Sequence, residues 1–78
     1  MTIVPLSNLR PGDKATIDSI EAGMGLTRRL LDLGVTPGEQ VEVMRLARFG
    51  GPFEIRVRGS ELSIGRGIAA KVLVRREE

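Results

Sequence analysis

Residues 11–17 read PGDKATI and residues 37–43 read PGEQVEV. Each copy gives Pro-Gly, an acidic residue, a polar residue, and then apolar residues on alternate positions. Proline fixes its own φ, and glycine accepts the positive φ that the third position of a tight turn can demand. The alternation that follows has the period of a strand with one wet face. The phrase therefore predicts two strands, each opened by a tight turn. With no third copy, it does not predict a solenoid. A chain of 78 residues has room for a single domain, residues 1–78, around one small core.

The rest of the chain is punctuated in the same way. VPLSNL (4–9) is too short for more than one turn, which would set Leu6 and Leu9 on the core. Ala15 and Ile17 face inward on the first strand, and Val41 and Val43 on the second. The alternation blurs over Met44, Arg45, Leu46 and Ala47, where a bulge or strong bend is expected. Residues 48–52 (RFGGP) read as a loop. Phe53, Ile55 and Val57 then alternate with charged residues, Gly59-Ser60 turns the chain back, and Leu62 and Ile64 follow. Residues 65–67 interrupt, residues 68–70 suit a short helical turn, and Val72 and Val74 close the chain as a last strand.

One helix is expected. Leu26, Leu30 and Leu33 lie at i, i+4 and i+7, which makes a single apolar stripe. Gly34 stands where a left-handed residue would end the helix, and Pro37 bars its continuation. Five short strands with tight turns and one inserted helix give a mainly β fold. Its expected form is a small, closed or nearly closed barrel, since closure removes exposed edges.

Composition narrows the chemistry. The chain has no Cys and no His, so thiolate and imidazole metal sites and the usual general base are all missing. The carboxylates Glu39, Glu42, Glu54 and Glu61 fall at strand openings or on water-facing strand positions. Neither a phosphate-cradling glycine motif nor an EF-hand pattern occurs. No catalytic residue, metal site or cofactor is expected. No run approaches the ~20 apolar residues needed to cross a bilayer. The N-terminus has no basic stretch leading into a long apolar one, so a cytoplasmic protein is expected.

Two kinds of binding surface remain. Residues 45–78 carry eight of the twelve basic side chains and four of the ten acidic ones. Arg45, Arg56 and Arg58 would form a basic strip if their strands lie side by side, as in barrels that bind RNA. The aromatic platform of such barrels is thin, with two Phe, no Tyr and no Trp. Leu31, Met44, Leu46 and Leu73 fall off the core phase, either as a protein-binding patch or as a satellite of the core.

The string RLLDLGVTPG followed by EQVEV (29–43) resembles the FeoA family, small proteins associated with bacterial ferrous iron uptake. Its pattern R-L-x-x-L-G-x-x-P-G-x-x-V-x-V is met by Arg29, Leu30, Leu33, Gly34, Pro37, Gly38, Val41 and Val43. ARFGGP (47–52) with IRVRG (55–59) resembles the family's A-P-x-G-D-P loop and following strand. Arg48 departs from the usual Pro there, and GRG (65–67) departs from a stretch that is often Leu-Arg. The likeness runs from about Leu6 to Val74.

This resemblance implies an SH3-like barrel of five to six strands with an inserted helical segment. It also implies a non-enzymatic accessory role through contact with the FeoB-like membrane GTPase transporter, which would recruit the protein to the inner face of the membrane. The surface expected to carry that contact is Met24, Leu26, Arg28 and Arg29 of the helical insert with Arg48 and Phe49 of the loop. Self-association is a second kind of partnership to consider. DNA is not expected as a ligand, and RNA binding through Arg45, Arg56 and Arg58 is the alternative reading.

Overall fold

The computed structural model describes residues 2–76. In chain order these form β1 (Thr2–Pro5), a 3-10 turn (Leu6–Asn8), β2 (Lys14–Ile20), α1 (Met24–Asp32) and β3 (Gln40–Leu46). β4 (Phe53–Val57), β5 (Ser60–Ile64), α2 (Arg66–Ala69) and β6 (Val72–Arg76) follow. The strands make one antiparallel sheet in the order β1-β6-β2-β3-β4-β5. The sheet wraps a single core. Side chains from both of its ends join one cluster: Val74 and Ile17, Phe53 and Ile64, with Leu6, Leu9 and Ala69 from the two short helical turns.

The paired Pro-Gly phrases turn out to be partners. Asp13 N–H donates to Arg10 C=O at 2.9 Å and Glu39 N–H to Thr36 C=O at 3.1 Å, closing two matching turns. Their glycines, Gly12 and Gly38, have φ of 92° and 93°, the geometry of a type II turn. Ala15 then pairs with Val41, which is its own counterpart in the second copy. That pair is the centre of a local two-fold relation. Gly12 N–H reaches across to Val43 C=O, and Gly38 N–H to Ile17 C=O, both at 2.8 Å. Val43 N–H in turn donates to Asp13 C=O at 3.0 Å, and Ile17 N–H to Glu39 C=O at 2.9 Å. Each turn thus extends the ladder of the other copy's strand, so the amides at both strand entrances are paired.

Two features depart from the alternation pattern. β1 is a sixth strand that the sequence pattern hides: four residues ending in Pro5, whose missing N–H costs nothing on an outer strand. The expected register shift between Val43 and Arg45 is present, but a second one lies between Ile17 and Ser19 on β2. These irregularities bend the strands that must curl round so small a core. β1 and β5, the two outer strands, do not pair with each other.

Helix α1 ends as its sequence foretold, in a Schellman turn. Gly34 sits at φ 96°. Its N–H donates to Leu31 C=O at 3.0 Å, and Val35 N–H donates to Leu30 C=O at 2.9 Å. Leu30 and Val35 are both buried in the core, which fixes the helix at this end. A Cβ on Gly34 would meet only Arg58 Cδ, at an ordinary 3.5 Å. Gly34→Ala should therefore be penalised for its backbone alone, losing about 1–2 kcal/mol of stability as read from denaturant midpoints.

Candidate docking site

Helix α1 stands beside the end of β5 and the start of α2, and an apolar groove of about 190 Å³ lies between them. Leu26, Leu30 and Leu33 line one wall, while Ile64 and Ile68 line the other; Arg29 and Ser63 add its polar groups. Positions 26, 29, 30 and 33 share one helix face because they follow the 3.6-residue period. The sequence gives Leu26, Leu30 and Leu33 as one apolar stripe, with Leu26 and Arg29 also expected at a partner contact, and the structure divides the stripe. Leu30 is buried, Leu26 is half-buried against the core, and Leu33 is 47% exposed. The stripe continues past the surface beneath it, and the surplus forms the groove wall. Arg29 has no carboxylate within ion-pair distance among the described residues.

The other expected residues fall elsewhere. Met24, 79% exposed, opens the helix, and Arg28 lies on its exposed side; neither lines the groove. Arg48 and Phe49 sit at the tip of the β3–β4 hairpin, where Gly51 N–H donates to Arg48 C=O at 3.2 Å. Phe49 has φ 58° and is fully exposed. Tip and groove are linked by Arg66, which the sequence offers only as one more cation for a basic strip. Its guanidinium lies over the Phe53 ring, 4.9 Å from the centroid, and its Nε is 3.9 Å from where a Cβ on Gly50 would stand. The preceding residue, Gly65, lines the groove. No local spacing could have announced this cation–π contact, because it depends on α2 folding back over β4.

Arg45, Arg56 and Arg58 do not make a basic strip. Arg45 is bound to Glu54 at 3.0 Å and Arg56 to Glu61 at 2.9 Å. Lys14, Glu42, Arg56 and Glu61 stand opposite one another along β2, β3, β4 and β5. Charge therefore alternates across that row, an arrangement that favours cross-strand pairing. Arg58 occupies a tight turn at φ 53°. Since the Arg56–Glu61 pair is well exposed, a double-mutant cycle across it should return under about 1 kcal/mol, falling further in high salt. The off-phase leucines also separate, Leu46 packing on the core while Leu31 is exposed.

Among the described residues no three carboxylates converge as a metal site, and no helix is long and apolar enough to cross a membrane.

The comparisons agree with this fold. The FeoA domain family matches residues 4–76. A Methanocaldococcus jannaschii protein, provisionally named Fe(2+) transport protein A, is 36% identical over 70 residues, covering 90% of this chain and 83% of the relative. The solution structure of Chlorobium tepidum FeoA is 35% identical and superposes with a TM-score of 0.89, covering 96% of this chain and 71% of that one. Stenotrophomonas maltophilia FeoA, crystallised with zinc and described as a prokaryotic SH3 domain protein, is 27% identical. It covers 88% of this chain and 86% of its own, with a TM-score of 0.77.

Proposed function

The chain belongs to the FeoA family, and from that premise we propose that it is a non-enzymatic accessory of ferrous iron uptake, docking on a FeoB-like membrane GTPase transporter at the cytoplasmic face. The observation that carries this reading is the apolar groove between α1 and the β5–α2 junction. Leu33 is exposed at this groove, with Leu26 and Ile68 half-buried beside it, and apolar groups gathered in this way suit a protein contact. An apolar side chain of the partner, seated between Leu33 and Ile68, would bury that surface. Arg29 at the same groove favours a partner segment that carries a carboxylate nearby. Two further findings fit the reading: the S. maltophilia relative is described as a candidate ferrous iron transport activating factor, and the M. jannaschii relative carries a transport name.

The RNA alternative is not carried forward, because the strip that motivated it is interrupted by ion pairs. Titrating the folded protein against the soluble GTPase domain and against the full-length transporter tests the proposal. Saturable binding to either is expected. Absence of binding to both, with the fold intact by circular dichroism, would refute docking.

A further inference from the structure

The tip of the β3–β4 hairpin presents an aromatic ring that nothing within the domain covers. Phe49 is fully exposed, and it holds φ 58°, a left-handed conformation that only glycine adopts freely. Its neighbour Gly50 has φ 76°, so the two residues form the centre of a turn closed by the Gly51 N–H bond to Arg48 C=O at 3.2 Å and by Ala47 N–H to Pro52 C=O at 3.1 Å. The turn is tightly constrained: a Cβ on Gly51 would stand 2.6 Å from the Ala47 Cβ. Arg58 and Gly59 take the same left-handed pair in the β4–β5 turn, at φ 53° and 78°, so this backbone is that of a two-residue hairpin turn. What sets the β3–β4 tip apart is a fully exposed aromatic ring at its centre.

The charge around this ring has one sign. Arg48 precedes it, Arg66 lies beside Gly50, and no Asp or Glu occurs from 43 to 53. The first carboxylate beyond, Glu54, is taken by Arg45 at 3.0 Å. Arg48 has no carboxylate within ion-pair distance among the described residues, and neither has Arg66. The tip is therefore a convex projection, with an apolar point and guanidinium groups set behind it.

We propose that this hairpin tip is a contact for an anionic lipid surface, with the Phe49 ring entering the headgroup–acyl boundary and Arg48 and Arg66 at the level of the phosphates. A bilayer accepts a single projecting ring without a preformed pocket, and its negative surface potential rewards each nearby cation. One ring and two cations make a weak, reversible contact. Its use is to orient the domain against a membrane already chosen by other interactions.

The chain has no Trp and no Tyr, so Phe49→Trp places a lone fluorophore at the tip. The probe is a vesicle of phosphatidylcholine with about a third phosphatidylserine, taken to lipid in the millimolar range and free of any protein, so the result is separate from transporter docking. The expected result is a blue shift of the indole emission in Phe49→Trp, together with co-sedimentation of the unmodified chain. Both should be lost on pure phosphatidylcholine and in molar salt. Arg48→Ala should weaken partitioning about fivefold, and Phe49→Gly about tenfold or more. Phe49→Gly should not lower the thermal midpoint, because it removes the left-handed strain. Unshifted indole emission on anionic vesicles overturns the proposal. So does equal binding to neutral vesicles, or loss of transporter binding in Phe49→Gly while vesicle binding stays at the unmodified level, which would make the tip a protein anchor.

Discussion

Leu33→Glu should reduce binding to the transporter by about thirtyfold or more while leaving the domain folded. The side chain is 47% exposed, so the glutamate is solvated in the free protein and little stability is lost. In the complex the same carboxylate would be enclosed between Ile64, Ile68 and the partner's apolar group. Introducing a charge there removes apolar burial and adds desolvation, and central apolar anchors are typically worth about 2 kcal/mol or more. At about 1.4 kcal/mol per tenfold change, that corresponds to roughly thirtyfold. Arg28→Ala is the matched control: it lies on the same helix, does not line the groove, and should alter affinity by less than about threefold. Isothermal titration of both variants against the full-length transporter checks the pair. Equal losses would place the contact on the outer helix face instead of in the groove.

Phe53→Ala should cost the domain most of its stability. Phe53 is the largest of the fully buried side chains, pairs with Ile64 across β4 and β5, and carries the Arg66 guanidinium over its ring at 4.9 Å. Truncating a buried Phe typically costs about 3–5 kcal/mol through lost transfer energy and the cavity left behind. A domain of this size holds roughly 4–12 kcal/mol in all. The variant should unfold at low denaturant or be partly unfolded in buffer, as read by far-UV circular dichroism. Arg66→Ala separates the two contributions, since it removes the cation–π contact and leaves the ring in place. It should cost about 1 kcal/mol or less.

Most of the fold could be read from alternation and punctuation. Ala15, Ile17, Val41, Val43, Phe53, Ile55 and Val57 face inward by period alone, and all are buried, as are Val72 and Val74 of the expected last strand. The signal is strong because one face of each of these strands meets water and the other meets the core. β1 escaped because four residues ending in proline carry no measurable period, and its identity as a strand comes from β6. The bend at Asp18 also escaped. It interrupts a strand whose sequence runs on regularly, and the curvature it supplies belongs to the whole sheet.

The candidate site was less legible for a related reason. Periodicity says which residues share a helix face, but not where the surface under that face stops. Leu33 continues the stripe of Leu26 and Leu30, and only the position of β5 and α2 makes it a groove wall. Alternation sets Arg56 on a water-facing strand position, but only the neighbouring strand brings Glu61 beside it at 2.9 Å. Phe49 was visible as the aromatic outside the core phase, yet its left-handed backbone could not be inferred, since the rule that assigns φ > 0 to glycine points to its neighbours.

The two-fold relation between the Pro-Gly phrases also bears on how the chain assembles. A segment that pairs with its own copy has no intrinsic means of telling the copy in the same molecule from one in another. Residues 11–17 of one chain present the same ladder to residues 37–43 of either. What keeps the pairing within one molecule is the tether, residues 18–36, which holds the second copy at an effective concentration in the millimolar range. At micromolar protein the tethered partner wins by mass action. The connector that carries α1 is thus also the device that keeps the sheet from exchanging strands with its neighbours.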